Sequence, residues 1–266
     1  MTSTSFALID RYLSTVLGAD LAAARPGEVE VAGTPRRLGP LQSYAFIHAF
    51  YGVWLEDGRT VLSVPPAARD RVLDMIDTLA VAMPGPELAR SIAPHIDAAL
   101  TQAGLAPTSR TSESLLFASN GALVRRHPGR CRTRRCRPPR PGAHACIRLH
   151  NAHLPPAPGL RLPTHCFPDG IVYGIVTDKR VVSVAYAHRT GIMESEVADL
   201  GVETAPAHRK RGYASACVAA VTAHITAQGG EALYGCNPAN VASIATARST
   251  GYIPYARTLI LVTGGA

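Results

Sequence analysis

Between Phe6 and about Leu21 apolar and polar residues recur at helical spacing, which predicts a helix. From Tyr44 to Val64 the pattern becomes that of a hairpin. Phe46, Ile47, Phe50, Val53 and Trp54 precede the turn pair Asp57-Gly58, and Val61, Leu62 and Val64 follow it. Pro65-Pro66 opens a predicted helix to about Ala82, with Val72, Met75, Ile76 and Leu79 on one face. A further helix is predicted over Glu87 to Ala103 and stops at Gly104. Residues 1–120 therefore predict a compact mixed α/β region, and no chemical motif stands out in it.

The pattern is lost between Arg125 and Pro168. Eight of the sixteen residues from Arg125 to Arg140 are arginine, and prolines recur through Pro168. Such a stretch cannot bury enough apolar surface to order itself, so 121–168 is expected to be an irregular Arg/Pro-rich connector. An out-of-frame reading of GC-rich DNA would give the same composition.

Regular patterning resumes at Gly170. Ile171–Val176 and Val181–Tyr186 read as strands around the turn Thr177-Asp178-Lys179, and Val197–Thr204 as a third strand. Tyr213–Ala227 reads as a helix with Ala214, Cys217, Val218, Val221 and Ile225 on one apolar stripe, ended by Gly229-Gly230. Ala232–Cys236 reads as a strand, Val241–Thr250 as a helix, and Ile253–Val262 as a final strand or strand pair. The order β-β-β-α-β-α-β over 169–266 predicts an α/β (α+β) domain with a mixed central sheet and flanking helices.

Composition changes this picture in one respect. The net charge is +8, but ten arginines lie between Glu113 and Asp169, where there is no acidic residue. Without them the 27 basic residues fall to 17 against 19 acidic ones, so the basic character belongs to one segment. That segment lacks interleaved aromatics for stacking on bases, and nucleic acid is not an expected partner. Histidines and cysteines gather at His127, Cys131, Cys136, His144, Cys146, His150, His153, His165 and Cys166. Their spacings lack the paired short intervals of a zinc site, and no metal is expected. The six cysteines form no regular framework, which predicts reduced thiols. Met1–Ser5 lack a basic patch before an apolar run, and no stretch approaches the ~20 apolar residues of a membrane span. A cytoplasmic protein without membrane contact is the expectation.

Candidate chemistry is concentrated where the third C-terminal strand meets its helix. Pro206 ends the strand, and Arg209, Lys210, Arg211, Gly212, Tyr213, Ala214 and Ser215 lead into the helix. A helix start offers backbone N–H groups and partial positive charge, which suit a pyrophosphate. Small residues at 212 and 214 let the backbone approach the phosphates, and three cations add charge-assisted contacts. The alternative is a basic solvated turn before an ordinary helix.

The pattern R-x-x-G-x-A between strand and helix, followed by Asn240, Ser243, Gly251 and Tyr252, resembles the GNAT superfamily of acyl-CoA N-acyltransferases over about residues 165–264. Gly201-Val202-Glu203-Thr204-Ala205-Pro206 and Cys236…Asn240-x-x-Ser243 look like the bacterial GNAT-like acetyltransferase subfamily, whose members often carry an extra N-terminal α/β region. The resemblance implies acetyl-CoA as cosubstrate. It implies that the backbone of Val202 and Thr204 pairs with the pantetheine arm and that the N–H groups from Arg209 to Ser215 hold the pyrophosphate. It places Asn240 and Ser243 near the thioester, although Asn240 also sits where a helix N-cap belongs.

Acetyl transfer to an amine needs a base. Asp199 and Glu203, on one strand face with Gly201, are the candidates, with Glu196 a third choice; solvated strand-edge carboxylates are the alternative. Many GNAT enzymes place an acidic tyrosine seven residues after the asparagine, but here that position is Ala247. Tyr252 and Tyr255 are nearby, and Tyr252 is expected in the core. The sequence thus predicts an N-acetyltransferase acting on a primary amine of a small molecule or protein, with a second copy of the chain admitted as partner. The rival readings are a catalytically decayed CoA-binding regulatory module and, more weakly, a basic nucleic-acid-associated protein.

Overall fold

The computed structural model describes residues 6–39, 47–79, 88–106, 108–119, 146–149, 154–163, 170–189 and 196–263. In chain order the first elements are α1 (Ala7–Leu17), β1 (Val29–Gly33), β2 (Ile47–Leu55), β3 (Thr60–Val64), α2 (Arg69–Leu79), α3 (Leu88–Gln102) and β4 (Arg110–Ser119). They are followed by β5 (Cys146–Arg148), β6 (Ile171–Thr177), β7 (Arg180–Arg189), β8 (Val197–Thr204) and α4 (Tyr213–Ala227). Finally come β9 (Glu231–Cys236), α5 (Val241–Ser249) and β10 (Ile253–Thr263). The α/β class expected from the sequence, with mixed strand pairing and flanking helices, is the observed one.

Two units are present. One comprises Ala7–Leu116, Cys236–Ala239 and Pro254–Ala266; the other comprises Phe117–Gly235 and Asn240–Ile253, together with the first six residues. In the first unit the strands lie in the order β1-β3-β2-β10-β4. β1 runs parallel to β3, whereas β2 is antiparallel to β3 and β10. The predicted hairpin turns at Asp57-Gly58, where Asp57 Oδ1 accepts the Arg59 N–H at 3.1 Å and Gly58 takes φ +91°. The core collects Val31, Phe50, Leu62, Val72, Ile96 and Leu259, all buried. Helix α1 stops at Leu17, short of the predicted Leu21, because Gly18 enters the left-handed region at φ +70°. Arg37 is fully buried, which no local pattern around it foretells. Its guanidinium donates to the carbonyls of His48 and Val16 and lies over the Tyr51 ring.

In the second unit the order is β9-β8-β7-β6-β5, antiparallel except for the parallel pair β8 and β9. β6 and β7 are joined by Asp178-Lys179, both at positive φ (50° and 59°), the conformation a two-residue hairpin turn demands. Helix α4 packs on β6, β7 and β8. Four of the five residues of its predicted stripe are buried, Cys217, Val218 and Val221 wholly and Ile225 nearly so, while Ala214 in the first turn is half-buried. Each such apolar side chain contributes about 1.5–3 kcal/mol.

β1, β4 and β5 were not anticipated. β5 is three residues long and is held by pairing with β6, through Cys146↔Ile175 to Arg148↔Tyr173. Pro156 bridges to Val181 close by. The arginine run from Arg125 to Arg140, with Cys131, Cys136 and Cys166, lies outside the described residues. So do all the histidines of the gathered Cys/His set.

Candidate functional site

β8 has two neighbours for only half its length. It pairs with β7 from Ala198 to Thr204, but with β9 only from Val197 to Leu200. After Leu200 the two parallel strands part. The hydrogen bonds at either end of β8 fix which backbone groups face the opening. The Glu196 carbonyl accepts the Glu231 N–H of β9 at 2.7 Å, and the Ala205 N–H donates to Val182 of β7 at 2.9 Å. Alternation therefore turns the N–H and C=O of Val202 and Thr204 toward the side β9 has left. The Thr204 carbonyl accepts from Arg209 Nε at 3.2 Å. The Val202 groups have no strand partner on that side among the described residues.

The chain then passes through a short 3-10 turn, Pro206–His208, into the loop before α4. Lys210 and Gly212 both take left-handed φ, 59° and 79°. Gly212 is the residue before the first helical turn, and no side chain caps that end. The N-terminal end of α4 thus lacks a side-chain cap from its N-cap residue. A Cβ built on Gly212 would meet nothing within 4 Å. Arg209, Lys210 and Arg211 are exposed; Arg209 bonds the Thr204 carbonyl and Arg211 the Ala207 carbonyl at 3.2 Å, so two of the three cations brace the loop. No acidic residue occurs between Glu203 and Glu231, which leaves this helix start electropositive.

At the start of α5, Asn240 is the N-cap: its Oδ1 accepts the Ser243 N–H at 3.1 Å. Ser243 Oγ is 2.9 Å from the Tyr234 hydroxyl, and Ser215 Oγ is 3.0 Å from Ser249 Oγ, which ties the first turn of α4 to α5. Ala247 is fully buried. Tyr252 is also buried; its hydroxyl is 2.6 Å from Thr222 Oγ1, and burial pushes its pKa above the usual tyrosine value. Tyr252 is thus in the core, and Tyr234 meets it edge-on at 5.7 Å.

The candidate bases lie on the opposite face of β8. Thr204 Oγ1 contacts Ser183 Oγ at 2.8 Å, and Ser183 lies beneath Cys217 of α4, so Leu200, Val202 and Thr204 belong to the α4 side. Asp199, Gly201 and Glu203 belong to the other. Asp199 is half-buried as a residue, but its Oδ1 is shut off from solvent and has no hydrogen-bond partner among the described residues. Burial raises its pKa to about 6, and the N–H groups of Leu200 and Gly235 pull it back part of the way. Glu203 is differently employed: its Oε2 accepts the Arg161 N–H at 3.3 Å and so holds the segment that crosses nearby. Glu196 sits just before β8, its carbonyl on β9.

Two residues near the opening were missed from the sequence. Tyr186, across from Gly201 in register, lays its ring over that glycine, so that a Cβ there would fall 2.2 Å from Cζ and 2.5 Å from the hydroxyl oxygen. Tyr234 reaches Ser243 from β9. Strand alternation places Tyr186 on the Asp199 face once the β7–β8 register is known, but the register is not written in either strand alone.

An unpaired strand edge that runs into an uncapped, acid-free helix start fits an extended amide-bearing arm ending in a pyrophosphate. A carboxyl group with a pKa near 6 beside that edge suits proton removal from an amine. Among the described residues no three His, Cys, Asp or Glu side chains are placed to share a metal ion. No described helix is long and apolar enough to cross a membrane.

The family described as FR47-like protein matches residues 172–260. Among solved structures, the chain is similar to a GNAT-family protein from Novosphingobium aromaticivorans, with 20% identity over 60% of this chain and 67% of that one, and a TM-score of 0.44. It is similar to a GCN5-related N-acetyltransferase from Kribbella flavida (20% identity, 65% of each chain, TM-score 0.40). A GNAT-family acetyltransferase from Colwellia psychrerythraea is also similar (14% identity, 59% of this chain and 58% of that one, TM-score 0.37). The chain thus spans about two thirds or less of the length of each. No curated protein matches it in sequence. The segment from 172 to 260, which carries the parted strands and the basic helix start, is the part of this chain that is similar to the FR47-like family.

Proposed function

We propose that the second unit binds acetyl-CoA and transfers its acetyl group directly to a primary amine, without a covalent enzyme intermediate. The observation that carries this reading is the departure of β9 from β8 after Leu200, which leaves a strand edge leading into the α4 start. Val202 and Thr204 hold the pantetheine arm through their backbone; the N–H groups and cations of 209–215 hold the pyrophosphate; Asn240 and Ser243 border the acyl end. The cosubstrate supplies an activated thioester. Asp199 takes the proton from the incoming amine, for which a pKa of about 6 leaves it ionised at neutral pH yet still basic. Glu203, already engaged by the Arg161 N–H, positions the nearby segment and is the second candidate. Backbone N–H groups at the opening stabilise the oxyanion. A thiolate leaving group with a pKa near ~8.5 departs without an obligatory acid, which suits a site whose position 247 is a buried alanine.

That alanine also favours a second reading, a CoA-binding module without catalysis. Calorimetric titration with acetyl-CoA, followed by thiol release over a panel of small-molecule and peptide amines, divides the two. Binding with no release from any amine supports the module. Absence of binding, with Gly212→Glu equally inert, removes both.

A further inference from the structure

Cys146 and Cys217 are 71 residues apart in sequence, yet the fold sets their sulfurs in hydrogen-bond contact at 3.6 Å. Cys146 lies on the terminal strand β5, opposite Ile175, and is partly exposed. Cys217 is the fifth residue of α4 and is fully buried, with its Sγ 3.9 Å from Ser183 Oγ. The two thiols therefore differ in access to solvent. Their contact holds the Cys146 thiol below its ordinary pKa; the same contact, with burial, pushes Cys217 above its own. An accessible, more acidic thiol beside a sheltered one is the arrangement of a peroxide-reactive cysteine and its resolving partner.

We propose that Cys146 is a site of oxidation by hydrogen peroxide and that Cys217 resolves it, closing a disulfide between β5 and α4. The Cys146 thiolate attacks one peroxide oxygen; an S–O bond forms, the O–O bond breaks, and the departing oxygen leaves as water after protonation. Sulfur loses two electrons and the peroxide gains them. Cys217 sulfur then attacks the sulfenic acid sulfur; the S–S bond forms, the S–O bond breaks, and the second water carries away the Cys217 proton. One hydrogen peroxide and two thiols give a disulfide and two waters. The sulfurs, now 3.6 Å apart, approach to about 2.05 Å when the bond forms. This chemistry is independent of acetyl transfer.

Peptide mapping by mass spectrometry of the full chain, before and after stoichiometric hydrogen peroxide, tests it. The expected product is a Cys146–Cys217 cross-linked peptide two hydrogens lighter than its reduced parts, reversed by dithiothreitol, with Cys236 left reduced. In Cys217→Ser and Cys217→Ala the sulfenic acid should persist and be captured by dimedone at Cys146, whereas Cys146→Ser should leave Cys217 reduced. Cross-linking of Cys146 to Cys131, Cys136 or Cys166 instead would overturn the proposal. So would a Cys146 driven to sulfinic acid while Cys217 stays a thiol, or a wild-type pair that remains reduced. The wild-type map alone decides it if a variant fails to fold, which far-UV circular dichroism reports.

Discussion

Asparagine at position 199 keeps the shape of the side chain and removes its proton. In the folded protein burial lifts the Asp199 pKa from 3.8 to about 6. The folded chain therefore holds a proton that the unfolded chain has released between pH about 4 and about 6. Stability owed to this group is highest below that window and declines as pH rises through it, because ionisation is more costly in the fold than outside it. At about 1.4 kcal/mol per pH unit the gap is worth ~3 kcal/mol, and water reaching a half-buried residue reduces it to ~1–3 kcal/mol. Asp199→Asn is expected to match wild type in stability near pH 4. It should exceed wild type by that amount above pH 7, a rise of roughly 2–10 °C in melting temperature for a chain of this size. Over the same range wild-type kcat/KM for amine acetylation should fall tenfold per pH unit below about pH 6. The variant should be flat and lower by ~10²–10⁴. Thermal melts at pH 4.5 and 8, set beside a thiol-release pH profile, check both limbs. A variant less stable at every pH and within threefold of wild type in activity would refute the assignment, since Asp199 would then be a satisfied structural carboxylate.

Gly212→Glu adds a like charge to the bound pyrophosphate and a Cβ at φ 79°, a left-handed strain of about 1–2 kcal/mol; because nothing lies within 4 Å of that Cβ, no clash adds to this and the fold should survive. Calorimetry should show CoA affinity lowered at least tenfold with an unchanged circular dichroism spectrum, and an unaltered affinity would remove the α4 start from the site. Gly201→Ala drives a methyl to 2.2 Å from Tyr186 Cζ and should cost ~1–3 kcal/mol in urea unfolding. Most of that cost should vanish in a Tyr186→Ala background, and additive effects would mean that the cost does not come from the ring. His48 is held at a pKa of about 4, first by burial and then by Arg37 and Arg110, so the unfolded chain takes up its proton first as pH falls. Stability present above pH 6.5 is lost toward pH 4, by up to ~3 kcal/mol. His48→Gln should escape that decline, and parallel wild-type and variant curves would contradict the shift.

What could be read from the sequence follows the range over which each feature is determined. The α4 start was legible because proline, cations, Gly212 and the apolar stripe act within one stretch of chain, and its left-handed φ at Lys210 and Gly212 needs no distant partner. The β6–β7 turn and the hairpin at Asp57-Gly58 were legible for the same reason. β5 was not: three residues carry no period, and their strand geometry exists because β6 pairs with them. Arg37 was not legible either, since its burial depends on carbonyls from Val16 and His48. The candidate site divides along the same line. Its proposed binding half uses the backbone of one contiguous segment, from the Val202 edge to Ser215, so a short run of sequence specifies it. Its chemical half draws on side chains at 186, 199, 234 and 243, from three strands and a helix. Asp199 could be named as a carboxylate on the right face, but its unpartnered Oδ1 and raised pKa are consequences of what covers it. The proposed cofactor cradle can therefore be located from a motif alone, whereas the proposed base is placed only by the register that brings Tyr186 over Gly201 beside Asp199.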